Sequence, residues 1–165
     1  MSEEKSNQPK LPTSAIDNLT SQEFKNWFEY PIRVHPHHTD YLGVVWHGSY
    51  LTWMEEARIE CLHSIGVEYA DLVALGCDLP VVELSIRYHR SLELGKTALV
   101  KTRMSEVTGV RINWDYAIIS TDGQELYITA QVCLVALDRE RGKIMPQLPA
   151  NVKDAIARIT SNSGK

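Results

Sequence analysis

The 165-residue sequence has few cysteines, and they lie far apart. Cys61, Cys77 and Cys133 form no Cys-x-x-Cys pair. This pattern argues against a disulfide framework or a zinc site, and it suits a reducing compartment. We therefore expect three small, buried apolar side chains and a cytoplasmic protein.

Long apolar runs and an excess of positive charge are also missing. No run approaches the roughly 18–20 apolar residues that are needed to cross a bilayer. The start of the chain carries Glu3 and Glu4 without the apolar segment of a secretory signal. The net charge is −4, so the overall charge does not favour binding to the negatively charged backbone of nucleic acid. We expect no membrane span and no nucleic-acid partner.

The rest of the composition is that of a globular protein. Hydrophobic residues make up 44% and charged residues 23% of the sequence, which is compatible with a packed core. The length suits one domain of ordinary size. Residues 1–20 are polar and contain Pro9 and Pro12, so we predict a flexible tail there and a single domain over 21–160.

The strongest helical pattern lies near the middle of the first half. We predict a helix over 51–65, with Ser49 as its N-cap and Gly66 at its end. Shorter helices are predicted over 21–29, 69–75 and 151–159. The long helix is indicated by apolar residues at steps of three and four, namely Tyr50, Trp53, Met54, Ala57, Cys61 and Ile65.

Alternating patterns indicate strands. The segment 30–35 is expected to be extended, and four long strands follow the helix. Asp122-Gly123 predicts a hairpin turn. One apolar-faced helix followed by four antiparallel strands suggests an α+β fold in which a curved sheet wraps around the helix. The four strands are predicted over 82–88, 97–107, 110–118 and 126–137.

One segment carries the chemistry. Asp40 lies on a Gly-containing loop that runs directly into the long helix at His47. A helix start offers unpaired backbone N–H groups and a positive dipole end. These groups can polarise a carbonyl while the carboxylate attacks it or activates water.

The stretch Asp40-Tyr41-Leu42-Gly43-Val44-Val45-Trp46-His47, followed by Tyr50 and by Glu55-Glu56-Ala57-Arg58, resembles a known family. It looks like the acyl-CoA thioesterases typified by 4-hydroxybenzoyl-CoA thioesterase, which have the hotdog fold. The resemblance covers about residues 30–140. It implies hydrolysis of an acyl-CoA thioester at a site shared by two subunits, without a metal or an organic cofactor.

The resemblance also implies roles for individual residues. Asp40, His47 and Glu55 match the catalytic positions: a carboxylate, the oxyanion position at the helix start, and the motif glutamate. Tyr41, Gly43, Val45, Trp46 and Tyr50 are expected to bind substrate, with Tyr50 more typical of a core residue. The apolar lining suggests a medium-sized apolar or aromatic acyl group.

Each of these residues also has a simpler interpretation. Asp40 could hydrogen-bond its own turn, Glu55 could be solvated, and Arg58 could belong to a surface ion pair. His47 could act through its backbone N–H or through its imidazole. His35, His37 and His38 resemble a metal site at first glance, but their spacing favours a loop with partly exposed imidazoles.

Three other points remain open in the sequence. A hotdog hydratase or dehydratase, or a non-catalytic acyl-CoA binding module, would share much of this pattern. Unprotected strand edges at 126–137 and 82–88 suggest a homodimer or homotetramer with one continuous sheet. Basic residues on two predicted strands could form a rim for CoA phosphates, namely Arg87, His89, Arg90, Lys96, Lys101 and Arg103.

Overall fold

The protein is described here by a computed structural model that covers residues 24–162. The predicted tail over 1–20 lies outside the described residues, so the division at residue 20 remains a prediction. The main elements are β1 (Phe28–Arg33), α1 (His47–Ser64), α2 (Tyr69–Ala74), β2 (Cys77–Asp78), β3 (Val81–Tyr88), β4 (Thr97–Thr108), β5 (Arg111–Ser120), β6 (Leu126–Val135), β7 (Leu137–Asp138), β8 (Lys143–Ile144) and α3 (Ala150–Asn162).

Five strands form one antiparallel sheet in the order β1-β4-β5-β6-β3. The long β4 and β5 are joined by a tight turn at Gly109, whose φ of 63° lies in the left-handed region that favours glycine. A smaller sheet, in the order β2-β7-β8, adjoins the C-terminal part of the chain. The α+β architecture predicted from the sequence is confirmed.

The long helix α1 packs on one face of the five-stranded sheet. Alternate residues of β5 bury their side chains in the same core as the helix. The predicted apolar stripe of α1 is confirmed, because Tyr50 and Trp53 are buried with Ala57. The central β5 contributes Ile112, Trp114, Tyr116 and Ile118 to this core.

The N-terminal part of the described chain differs from the prediction. The helix predicted over 21–29 is wrong where the structure describes it: Phe24–Asn26 form a turn, and β1 already begins at Phe28. Pairing with β4 favours the extended form there, because it satisfies the backbone groups of Phe28 and its successors. Phe24 and Trp27 instead cover the other face of the sheet near Ala117.

The position of one predicted edge is also wrong. The strand β6 lies between β5 and β3, so the segment predicted over 126–137 has no open edge along Leu126–Val135. The two outer strands of the sheet are β1 and β3. Only the second predicted edge, along Val81–Tyr88, therefore remains available for pairing with another chain.

A buried arginine connects α1 to the sheet. Arg58 is 8% exposed, and its Nη1 donates a hydrogen bond of 2.8 Å to the Tyr116 hydroxyl of β5. The interpretation of Arg58 as a member of a surface ion pair is wrong. The long aliphatic stem lets the guanidinium reach from a helical position to the sheet, which a pattern of charges alone does not reveal.

Removing this hydroxyl is expected to destabilise the fold. Tyr116→Phe leaves a buried guanidinium N–H without its acceptor, so the free energy of unfolding should fall by about 1.5–3 kcal/mol. Urea denaturation measures the change. Tyr30→Phe is the control, because it removes an exposed hydrogen bond to Glu56 and should cost less. If the two variants lose equal free energy of unfolding, the buried bond from Arg58 stabilises the fold no more than an exposed hydrogen bond does.

Candidate active site

The turn that carries Asp40 is held by the carboxylate itself. Its Oδ1 accepts the backbone N–H groups of Leu42 at 2.9 Å and Val44 at 3.3 Å. The backbone of Asp40 donates to the Val44 carbonyl at 2.9 Å. Among residues 24–162, no donor reaches Oδ2, and the side chain is exposed. One oxygen therefore builds the turn, while the other is available to a reactant.

A neighbouring loop fixes the turn in place. The Val45 N–H donates to the Leu92 carbonyl at 2.8 Å, and the Leu94 N–H donates to the Gly43 carbonyl at 2.9 Å. Gly43 has a φ of 76°, which few other residues adopt without strain. The acidic turn is thus braced on both sides, which reduces the reorganisation needed during a reaction.

The first turn of α1 begins at His47, close to this acidic turn in the chain. The Ser49 hydroxyl donates to the His38 carbonyl at 2.9 Å, so the prediction of Ser49 as N-cap is wrong. Trp46 occupies the N-cap position without a side-chain hydrogen bond. Within the described chain, the N–H groups of His47 and Gly48 have no acceptor. Two donors at the positive end of an 18-residue helix can stabilise a developing oxyanion.

A cleft opens beside the start of α1. Its empty volume is about 470 Å³, and it lies where the end of β3 meets the segment that follows it. The Tyr88 hydroxyl makes a long contact of 3.5 Å with the His47 carbonyl. The cleft is lined by Val44, Val45, His47, Tyr50, Tyr88, His89, Arg90 and Ser91. A thioester carbonyl entering here would lie next to the helix N-terminus.

Comparison with known families matches residues 42–127 to the thioesterase superfamily model. This range covers more than half of the chain and contains the helix start, the cleft and most of the sheet. The chain belongs to the thioesterase superfamily. The hotdog fold that the sequence implied is confirmed.

Individual relatives agree with this assignment. A putative esterase of Synechocystis sp. is 49% identical over 158 residues, covering 92% of this chain and 95% of that protein. The putative acyl-CoA thioesterase YneP of Bacillus subtilis is 35% identical over 105 residues. The match covers 64% of this chain and 75% of YneP. The solved structure of a DHNA-CoA thioesterase of Staphylococcus aureus matches this structure with a TM-score of 0.76 and 28% sequence identity. The match covers 84% of this chain and 95% of that one.

Trp46 lies directly against the first turn of the enzyme's long helix. A methyl group added at Gly48 would overlap the six-membered part of the Trp46 indole. The indole also lies 4.8 Å from the His47 ring, between ring centroids. Gly48 therefore allows a large aromatic side chain to cover the helix start, a relationship that the sequence analysis missed.

Gly48→Ala is expected to displace Trp46 while preserving the fold. Half of the indole is exposed, so it can move, and alanine favours the helix by up to about 1 kcal/mol. We expect an unchanged or higher melting temperature, a red shift in tryptophan fluorescence, and a loss of thioesterase activity. Lys153→Ala is the control, since it introduces alanine at an exposed position of another helix, α3. Unaltered fluorescence and activity in Gly48→Ala would contradict a role for the covering indole.

Glu55 lies apart from Asp40 within one chain. It is eight residues beyond His47 on α1, which corresponds to about 12 Å along the helix. Its side chain lines a second cleft, of about 610 Å³, together with Arg58, Tyr69 and Val81. The adjacent Glu56 is distinct, because it accepts the hydroxyl hydrogen bond of Tyr30 at 2.9 Å. Within one chain, Glu55 therefore lines a different cleft from the one beside the start of α1.

The predicted substrate-binding residues divide into two groups. Val45 and Tyr50 are buried and line the first cleft. Tyr41 is 96% exposed and Trp46 is 53% exposed, so both face outwards from the isolated chain. Tyr88 and Arg90 were missed as cleft residues. Their only sequence signal is that they fall at the end of a predicted strand that returns to the helix start.

The suggested basic rim does not form as one surface. Lys101 binds Glu29 at 2.9 Å, and Arg103 binds the buried Asp115 at 3.2 Å. Both cations belong to β4, which β5 and β6 separate from β3. Lys101 and Arg103 therefore stabilise the sheet. Arg90, which lies by the first cleft, pairs with Glu125 at 3.5 Å.

The described residues contain neither a metal cluster nor a membrane-spanning helix. Between residues 24 and 162, no group of three or more histidine, cysteine or acidic side chains is placed to hold a metal ion. In the same part of the chain, no helix is both long and apolar enough to cross a membrane.

Proposed function

We propose that this thioester hydrolase acts on acyl-CoA, with Asp40 as the principal carboxylate and the start of α1 as the oxyanion site. The observation that carries the proposal is that the two carboxylate oxygens of Asp40 have different surroundings. Oδ1 is used by the turn, while Oδ2 has no donor among the described residues and lies on the loop that leads to two N–H groups without an acceptor in the same part of the chain. The names of the relatives, among them an acyl-CoA thioesterase, support the choice of substrate.

In the proposed reaction, the thioester oxygen accepts hydrogen bonds from the N–H groups of His47 and Gly48. Asp40 either takes a proton from a water that attacks the carbonyl carbon, or attacks it directly and forms an anhydride that water then cleaves. Both routes break the C–S bond and yield the acid and free CoA. The His47 imidazole is exposed, and in the alternative role considered for it the side chain would donate a proton to the leaving thiolate.

We also propose that two chains complete the site, in a homodimer or homotetramer. Strand β3 is an outer strand with exposed apolar side chains, among them Val81, Leu84 and Tyr88. Antiparallel pairing of two such edges about a two-fold axis would place the Tyr88 end of one chain beside the Val81 end of its partner. The cleft at His47 would then adjoin the partner's cleft that contains Glu55. In this arrangement, Glu55 would assist the reaction in the adjoining cleft without being the principal carboxylate.

The proposed acyl group is medium-sized and apolar or aromatic. The first cleft offers aliphatic and aromatic walls at Val44, Val45 and Tyr50, and the second offers Ile59, Leu62 and Leu134. Apolar walls discriminate weakly, because one methylene is worth only about 1–3 kcal/mol. We therefore expect several acyl-CoAs to be hydrolysed. Activity restricted to short polar acyl groups such as malonyl would contradict this choice.

Incubation with a panel of acyl-CoAs and a thiol reagent tests the proposal. A thioesterase releases one free thiol for each acyl group hydrolysed. A hydratase or dehydratase would change the acyl chain of an enoyl-CoA or hydroxyacyl-CoA without releasing thiol. A binding module would bind acyl-CoA in calorimetry without turnover. Either of the latter two outcomes, across the full panel, would overturn the proposal.

A further inference from the structure

A turn of three histidines lies immediately before Asp40. Pro36–His38 form one turn of 3₁₀ helix. The ring centroids of His37 and His38 are 3.9 Å apart, and those of His35 and His38 are 5.6 Å apart. The His38 ring also packs edge-on against Trp53 of α1, at 4.8 Å between centroids. The half-buried His38 imidazole therefore contacts three aromatic rings.

The backbone of His38 anchors the start of the long helix. Its carbonyl accepts the N–H of Trp46 at 2.9 Å and the hydroxyl of Ser49, also at 2.9 Å. The backbone N–H groups of His47 and Gly48 lie between these two anchor points in the chain. A shift of the His38 backbone would therefore move the proposed oxyanion site, and Asp40 follows only two residues later.

The side chain of His38 closes the same turn. Its Nδ1 accepts the backbone N–H of His35 at 2.8 Å. An imidazole nitrogen can accept a hydrogen bond only when it carries no proton. A proton on Nδ1 would place two donors face to face, and it would add a positive charge beside the rings of His35 and His37. The observed turn requires an unprotonated Nδ1.

We propose that His38 is a positioning residue for the reaction, and that only its neutral imidazole holds the helix start and Asp40 in the active geometry. This inference rests on the proposed function for its catalytic consequence. Its structural part, the coupling between the His38 ring and the helix start, can be tested without any substrate.

The electrostatic surroundings agree with a neutral ring. Burial lowers the pKa of His38 below its ordinary value of 6.5, and the neighbouring His37 and His35 lower it further. Glu56 on α1 acts in the opposite direction. Because the unfolded chain then binds the proton more readily, the folded state loses stability as the pH falls below 6.5. Activity at neutral pH is thereby protected, and acid releases the turn.

The experiment compares pH profiles of kcat/KM in the full chain. His38→Asn keeps an acceptor, since its Oδ1 lies at nearly the same place as Nδ1, but it does not titrate. In the wild type, protonation of His38 contributes a step of up to roughly tenfold per pH unit to the acid limb. We expect that step to disappear in His38→Asn, with activity at neutral pH retained. His37→Asn, which changes an exposed neighbour, should keep the step.

A second variant and a spectroscopic measurement make the result decisive. His38→Phe keeps a ring against Trp53 but removes the acceptor, so kcat should fall by about tenfold at every pH with little change in KM. In NMR spectra without substrate, the amide signals of Trp46 and Ser49 should shift with the titration of His38. If they do not, or if His38→Asn reproduces the wild-type acid limb, the inference is wrong. If they shift but no thioester is hydrolysed, the proposed function fails alone.

Discussion

Asp40→Asn is expected to lower kcat for thioester hydrolysis by on the order of 10³-fold, in the middle of the range for a lost acid–base group. The amide oxygen can still accept the N–H groups of Leu42 and Val44, so the turn should persist. The negative charge that would attack the carbonyl or deprotonate water is lost. Steady-state kinetics, a melting curve and acyl-CoA binding measure the three properties separately.

Two controls distinguish catalysis from turn formation. Asp40→Ala removes the turn acceptor as well, and it should cost about 1–2 kcal/mol of stability in addition to activity. Glu55→Gln removes the other carboxylate, and we expect a smaller loss than in Asp40→Asn. Near-normal turnover in Asp40→Asn, with an inactive Glu55→Gln, would transfer the principal role to Glu55. Unfolding of Asp40→Asn would favour a purely structural role in the turn.

Leu84→Asp is expected to convert the protein into monomers and to lower activity by on the order of 10²-fold. Leu84 is 43% exposed at the centre of the outer strand β3. A carboxylate there would face its copy across the proposed two-fold axis, and like charges in paired strands repel. The fold of each chain should survive, because the side chain is not part of the core. Analytical ultracentrifugation, circular dichroism and kinetics together measure the effect.

The matched control is Ile144→Asp. Ile144 is 59% exposed on the short strand β8, so this variant adds the same charge at an exposed aliphatic position outside the five-stranded sheet. It should leave both assembly and activity unchanged. A wild-type chain that sediments as a monomer at micromolar concentration would refute the paired β3 edges. A monomeric but active Leu84→Asp would refute the sharing of the site.

The sequence predicted those features that depend on local periodicity. The helix α1, the long strands β3 to β6 and the turns at Gly109 and Gly123 are each encoded by neighbouring residues, and their bounds differ from the prediction by a few residues. Strand β6 was correctly predicted as a strand but wrongly placed at an edge. Strand order depends on pairing between distant segments, which alternation does not record.

The candidate site shows the same division. The acidic turn and the helix start are contiguous in sequence, so the motif predicted both of these local elements. The contact of Trp46 with Gly48, the bond from Arg58 to Tyr116 and the His38 anchor depend on side-chain direction in the folded chain. Such directions follow from packing, which the pattern of residue types leaves open.

The burial of the three cysteines has a consequence for chemical durability. All three side chains are free and buried, and burial raises the pKa of the Cys61 thiol to about 11. Oxidants and alkylating agents react with exposed thiolate, which this environment suppresses. The folded chain should therefore tolerate aerobic storage without reductant. Irreversible thiol modification would instead report on opening of the core.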